Sequence, residues 1–313
     1  MSVASKHCLS LTDYSPDEVR RVLSVAKELR DKRAKGQRTE DVLAGRTLAM
    51  IFEKPSLRTR VSFEQGMYEL GGRAIVLGQE IGIGKRESVG DVTRVLCGMV
   101  DGIAARVFEH GRLVEMADSA TVPVINMLSD DAHPCQALAD VMTLMDEFGH
   151  GPEDLRGRTV AYVGDGNNVA FSLAVACGLL GVAFEMATPP GYELPQEQVD
   201  AVMRAVPGME LVSCHDPVEA VRRADAVYTD TWVSMGQEAE KAERLPKFAD
   251  YQLNETLMSN APDHAIVLHC LPAYRGVEIT DAVIDGPQSR VFPQAHNRLH
   301  AQKGLLAVLM GGA

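Results

Sequence analysis

Between positions 53 and 64 the chain reads Glu53-Lys54-Pro55-Ser56-Leu57-Arg58-Thr59-Arg60-Val61-Ser62-Phe63-Glu64. An apolar strand pattern, Ala49 to Phe52, precedes the stretch, and Lys54-Pro55 stops it. Phe63, Met67 and Leu70 follow at helical spacing before Gly71-Gly72. The polar residues therefore fall at a helix N-terminus. Free backbone N–H groups and the positive end of the helix dipole favour an anion there, and Ser56, Arg58, Thr59 and Arg60 add hydroxyls and planar guanidinium forks. Such a seat suits phosphate without a P-loop. The plainer alternative is a capped helix with surface arginines, since Ser and Thr are ordinary N-caps.

Four further groupings carry chemistry. His133-Pro134-Cys135-Gln136 puts an imidazole and a carboxamide three residues apart, on one side of a first helical turn, and Arg106 ends an apolar strand. Together they could grip one carbonyl oxygen, although a His before Pro is commonly structural. Gly164-Asp165-Gly166-Asn167-Asn168 follows a strand and opens a helix, with Glu185 near the end of the next strand. Its third glycine is replaced by Val169, which leaves a weakened dinucleotide fingerprint or a purely structural turn. In Asp230-Thr231-Trp232-Val233-Ser234-Met235-Gly236 a carboxylate with a nearby hydroxyl suits an ammonium group. His269-Cys270-Leu271-Pro272 ends a buried strand, and its thiol reads as inert, as a zinc ligand with His133, Cys135 or Cys214-His215, or as a nucleophile. No paired ligand spacing supports the metal, so none is expected.

These residues need elements to hold them. The 313 residues, 46% hydrophobic and 24% charged, are enough for two domains around sizeable cores. Pro16 to Arg30 is a helix capped by Ser15. Strands at 46–52, 74–77, 102–107 and 122–126 alternate with helices at 89–99, 113–120 and from His133 towards Gly149. After Gly149-His150-Gly151-Pro152 a second alternation runs through strands at 159–163, 182–187, 211–213, 226–230 and 265–270, with helices at 169–180 and 195–205. Arg298 to Met310 reads as a closing helix. Strand and helix in alternation predict two doubly wound α/β domains with parallel sheets, 1–148 and 149–291, in which ligands gather at the carboxyl ends of strands. Gly78 to Ser88 is too glycine-rich for regular structure and is expected to be a mobile loop.

The formal charge of −12 argues against nucleic acid or an acidic membrane as partner. Six scattered cysteines without a disulfide-like framework point to a reducing compartment, and no uninterrupted apolar run is long enough to span a bilayer; a cytoplasmic protein is expected.

The run Ser56-Leu57-Arg58-Thr59-Arg60, with Ser62-Phe63-Glu64 and Leu70-Gly71-Gly72, resembles the phosphate motif of the aspartate/ornithine carbamoyltransferase family, departing from it at Leu57, where most members have Thr. His133-Pro134-x-Gln136, Gly164-Asp165-x-x-Asn168, the Asp230 to Gly236 loop and His269-Cys270-Leu271-Pro272 match the same family in order, the last three in its ornithine-using form. The resemblance implies that Ser56, Leu57, Arg58 and Thr59 hold the phosphate of carbamoyl phosphate. Arg106, His133 and Gln136 would polarise the carbamoyl carbonyl, with Cys270, Leu271 and Arg298 alongside. Asn168, Asp230, Ser234 and Met235 would hold L-ornithine, with Cys270 near the attacking amine. It further implies citrulline and phosphate as products, no cofactor, residues 292–313 returning to complete the first domain, and a homotrimer or an assembly of trimers. In that assembly the Gly78 to Ser88 loop crosses between subunits. Gly82 stands where several relatives have Gln or His, which leaves that task to Lys85, to Arg86 or to nothing. Two rivals keep the same framework: a carbamoyltransferase for putrescine or a modified ornithine, and a regulatory binding module without turnover.

Overall fold

The computed structural model describes residues 6–84, 86–233 and 238–311. The chain divides into two compact units. One comprises Met1–Ala139 with Asn297–Ala313, the other Asp140–His296.

The chain opens with α1 (Pro16–Ala34), where Ser15 and Glu18 form a reciprocal capping box and Pro16 occupies the first turn, the one helical place where its missing N–H costs nothing. There follow β1 (Thr47–Phe52), α2 (Leu57–Glu69), β2 (Arg73–Leu77), α3 (Val89–Cys97), β3 (Gly102–Arg106), α4 (His110–Ser119), β4 (Val124–Leu128) and α5 (Pro134–Phe148). The strands form one parallel sheet in the order β2-β1-β3-β4. β1 and β3 are buried along their whole length, as expected of central parallel strands covered on both faces, whereas edge strand β2 alternates with solvent. The order reverses between β1 and β3. The carboxyl ends of these two strands, Phe52 beside Arg106, mark the switch point where a doubly wound sheet leaves a crevice.

The second unit repeats the plan with β5 (Thr159–Val163), α6 (Asn168–Leu179), β6 (Ala183–Ala187), α7 (Gln196–Ala205), β7 (Leu211–Cys214), α8 (Pro217–Val221), β8 (Ala226–Thr229), α9 (Lys241–Phe248), α10 (Glu255–Met258), β9 (Ile266–His269) and α11 (Asp281–Ile284). Its five strands are parallel, in the order β7-β6-β5-β8-β9, so the switch point lies between β5 and β8. The last helix, α12 (Val291–Met310), begins well before the Arg298 read from the sequence. Gly78 to Ser88 is not wholly irregular, because Gln79–Ile81 forms one 3-10 turn and Ile83 bridges to Glu87. Lys85 lies outside the described residues. Among the described residues no helix is long and apolar enough to cross a membrane.

Within the first unit α12 is pinned to α1 and α2. Lys303 donates to Glu69 at 2.8 Å, both side chains being buried, and Arg33 adds a second cation at 2.9 Å. At Gly304 the helices come so close that an added Cβ would meet the Val22 carbonyl at 2.5 Å and Ala26 Cβ at 2.7 Å. Gly304→Ala should therefore destabilise the protein by about 1–3 kcal/mol through overpacking, despite the roughly 1 kcal/mol gain in helix propensity. Urea denaturation read by circular dichroism measures this, and an undiminished midpoint would mean that the helices separate without cost.

Candidate active site

In the first unit the chain leaves β1 through Glu53 and Lys54 and enters α2 at its cap, Ser56, whose hydroxyl accepts from the Thr59 N–H at 3.4 Å. The first-turn N–H groups of α2 have no acceptor within the helix. Leu57 is 75% exposed, so at this seat it offers backbone and no side-chain contact. Arg60 turns outward to Glu64 at 2.7 Å, which leaves Arg58 as the guanidinium of the seat.

His133 comes from the turn after β4. The Asn126 carboxamide donates to the Leu9 and Ala132 carbonyls at 2.9 and 3.1 Å, and the Ser129 N–H donates to the Ala132 carbonyl at 3.0 Å, so the chain just before His133 is tied down. The Gln136 N–H returns to the His133 carbonyl at 3.0 Å, starting α5. Arg298 of α12 then joins the two helix starts: it donates to Gln136 Oε1 at 2.6 Å and to Thr59 Oγ1 at 3.1 Å, all three side chains being buried. With the carboxamide oxygen of Gln136 facing Arg298, its other end is the N–H donor.

Burial, reinforced by the cations Arg298, Arg106, Arg58 and Lys54, pushes the His133 imidazole well below the ordinary histidine range. That direction favours the neutral imidazole over the imidazolium. The predicted residues thus converge: Arg58, Arg106 and Arg298 all act on His133, and Gln136 is bonded to Arg298, within this unit.

Lys54 belongs there too, and the sequence reading used it only to stop a strand. Its side chain is buried, its ammonium lies 4.4 Å from the Phe108 ring centroid, and it forms no ion pair with a carboxylate among the described residues. Burial first and Arg106 second lower its pKa. The carboxylate of Glu53 is committed elsewhere, to Arg112 and to the Phe108 N–H. A lysine just past a buried strand, next to a helix cap, was the available signal.

In the second unit the predicted residues sit at the β5/β8 switch point. Asp230, just past β8 and 6% exposed, accepts from the Cys270 thiol at 2.9 Å and the Thr231 N–H at 2.7 Å on one oxygen, and from Asn167 Nδ2 at 3.0 Å on the other. Asn167 makes the last of these links. Its Oδ1 also caps α6, accepting the N–H groups of Val169 and Ala170 at 3.0 Å each, while Asn168 is the first residue of the helix. Gly166 explains the turn's resemblance to a dinucleotide loop: a Cβ there would lie 2.5 Å from the backbone of Glu193 and Leu194, so a neighbouring loop claims the space. Asp165 is paired with Arg244, yet burial still pushes its carboxyl up to about 6.

Burial, and then the adjacent Asp230 carboxylate, raise the Cys270 thiol well above its ordinary pKa, which keeps it protonated and argues against a thiolate nucleophile. Asp230, His269 and Cys270 bring ligand-type atoms within 4.8 Å of one another, but hydrogen bonds account for the cluster. The Leu271 N–H donates to His269 Nδ1 at 2.9 Å, so the ring proton is on Nε2, facing Glu278 at 3.0 Å. That contact holds Leu271 at φ 58°, an uncommon backbone state for a branched residue, ahead of a cis Leu271-Pro272 bond. Ser234 and Met235 lie outside the described residues.

Comparison with known proteins places both halves in one family. Residues 6–146 match the aspartate/ornithine carbamoyltransferase carbamoyl-P binding domain, and residues 156–309 match the Asp/Orn binding domain of the same family. An ornithine carbamoyltransferase of Methanopyrus kandleri is 49% identical over 312 residues, 99% of this chain and 98% of that protein. One from Anoxybacillus flavithermus is 49% identical over 314 residues, again 99% and 98%. The solved ornithine carbamoyltransferase of Pyrococcus furiosus superposes with a TM-score of 0.94 at 47% identity, covering 100% of this chain and 99% of that one. Matched by both domain models of one family and by relatives over nearly its whole length, the chain belongs to the aspartate/ornithine carbamoyltransferase family.

Proposed function

We propose that the chain transfers the carbamoyl group of carbamoyl phosphate to the δ-amine of L-ornithine, giving L-citrulline and phosphate. The observation that carries this reading is the buried Asp230 carboxylate, held by Cys270 and Asn167, at the acceptor site of a chain whose other unit gathers cations at a helix N-terminus. A carboxylate there suits the α-ammonium of a diamino acid; an acceptor with a second carboxylate would need a cation in its place.

Residues 1–148 with 292–313 form the carbamoyl-phosphate domain on this reading, and 149–291 the ornithine domain. The phosphate sits on the N–H groups of α2 with Ser56, Leu57, Arg58 and Thr59, and Lys54 and Arg298 add charge around it. Donors fixed before the reaction stabilise the charge that grows on the leaving group, at no cost of reorganisation. His133, Arg106 and Gln136 donate to the carbonyl oxygen, which becomes an oxyanion when the amine adds; Cys270 and Leu271 border the same group. Asn168, Asp230 and Ser234 hold the amino-acid end of ornithine, and Met235 packs its methylenes. The neutral δ-amine forms the new C–N bond, the C–O bond to phosphate breaks, and the amine proton leaves with the phosphate. Carbamoyl phosphate is already activated, so the step requires positioning and charge more than a protein base.

A homotrimer in the cytoplasm completes the reading. Leu57, Val61 and Tyr68 stand exposed along one face of α2, which supports self-association, and all six cysteines are free thiols.

Arg58→Ala should weaken carbamoyl phosphate binding and turnover together, each by on the order of 100-fold. Titration calorimetry with the donor and steady-state assays measure this, and unaltered constants would remove the seat from the mechanism. Asp230→Asn should cost about 100-fold in kcat/KM for ornithine, the worth of a charged hydrogen bond, with donor affinity nearly unchanged; equal losses for both substrates would contradict the assignment. The ornithine δ-ammonium has a lysine-like pKa of about 10, so kcat/KM for ornithine should rise about tenfold per pH unit from 6 to 8. Because His133 is neutral over that range, His133→Ala should lower kcat by about 100-fold without altering the shape of the profile. An ionisation near neutrality that vanishes in this variant would show that the imidazole titrates. Phosphate release independent of ornithine would exclude the transferase reading altogether.

A further inference from the structure

One buried cation of the second unit has no part in the roles above. Arg244, in α9, is 6% exposed, and its guanidinium lies 4.9 Å from the Tyr192 ring centroid and 5.9 Å from that of Phe248. Nη1 donates to Asp165 Oδ2 at 2.9 Å and to the Trp232 carbonyl at 3.1 Å, and Nε donates to Glu240 at 2.8 Å. A single planar group thus ties together three segments: the turn after β5, the loop after β6 that carries Tyr192, and the chain leaving β8.

Each segment bears on the acceptor. Asp165 begins the turn that continues to Asn167 and Asn168, and the Gly166 N–H donates to the Tyr192 carbonyl at 2.8 Å, locking that turn to the loop. Trp232 is two residues past Asp230. From the other side, Asn167 closes the ring through its 3.0 Å bond to Asp230. A buried ion pair is a poor way to gain stability, because desolvating both charges offsets most of their attraction, and apolar residues of equal volume serve as well. What the guanidinium supplies that they lack is a rigid fork with fixed angles to two acceptors while its faces stack on rings. Lysine has no such fork.

We propose that Arg244 is a positioning residue for the acceptor, setting through Asp165 and the Trp232 carbonyl the spacing between the Asp165–Asn168 turn and Asp230. The role rests on the ornithine reading given above. On this proposal Arg244 acts through the segments it joins.

Trp232, the chain's single tryptophan and 3% exposed, reports on the joint without any substrate. Wild type, Arg244→Ala and Arg244→Lys are compared by steady-state kinetics in each substrate, by acrylamide quenching of Trp232 fluorescence, and by thermal melting. Arg244→Ala should raise the ornithine KM about tenfold or more, since misplacement of binding groups by about 1 Å has costs of that order and above. The KM for carbamoyl phosphate should hold steady, and Trp232 quenching should increase. Arg244→Lys should restore part of both. Should Arg244→Ala fail to fold, Asp165→Asn keeps the shape and the acceptor oxygen but removes the charge, and a selective rise in ornithine KM is expected there as well. An unaltered ornithine KM, an equal rise for both substrates, or Trp232 quenching identical to wild type would overturn the proposal. Wild-type protein that forms no citrulline from ornithine would sink the parent reading; citrulline formed with an unaltered KM in the variant would sink only the role of Arg244.

Discussion

The donor side of this protein is built on mutual repulsion. Lys54, Arg58, Arg106 and Arg298 crowd about one neutral imidazole, in a chain whose overall charge is −12. Burial first, and the neighbouring cations after it, depress the pKa values of His133 and Lys54. The fold carries this cost on elements that are otherwise well anchored: a fully buried β1, an α12 clamped by Lys303–Glu69, and a turn held by Asn126.

The acceptor side is organised by the opposite sign and a different logic. Asp230 is surrounded by donors, the Cys270 thiol, the Asn167 amide and the Thr231 N–H, so its place is defined by the fold itself. The protonated thiol matters here as a weak donor that a thiolate would turn into a repelling charge. Both sides use the same topological device. Reversal of strand order between β1 and β3, and again between β5 and β8, opens the strand ends where these residues stand, so each reactive group sits on a short turn braced by a strand behind it.

Much of this was legible in the sequence, because long buried strands and long helices announce themselves by period. The strands at 47–52 and 159–163, the cap at Ser56 and the order of the seat, His133, Asp230 and Cys270 needed only local pattern. What escaped was either too short or too distant. α8, α10 and α11 are four or five residues long and show no period. α12 starts at Val291, ahead of the Arg298 read from the sequence, with Pro293 in its first turn, where a proline gives up a donor that has no intrahelical use. Arg244 and Asp165 are far apart along the chain, as are Arg298 and Gln136, and no spacing rule links such partners. Lys54 was legible as a type but not as a buried one. The bond from Asn167 to Asp230 spans 63 positions of chain, and no local pattern announces it.

Helix caps are ordinarily interchangeable: serine, threonine, aspartate and asparagine all accept the same N–H groups. At the start of α6 that freedom is gone. Asn167 must accept with its oxygen and, with its nitrogen, donate to a carboxylate 63 positions away. Aspartate would set two anions face to face, and a hydroxyl is too short to serve both neighbours at once. A position that would drift freely in another α/β protein is here confined to one amino acid, by a grammar of donors and acceptors rather than by shape.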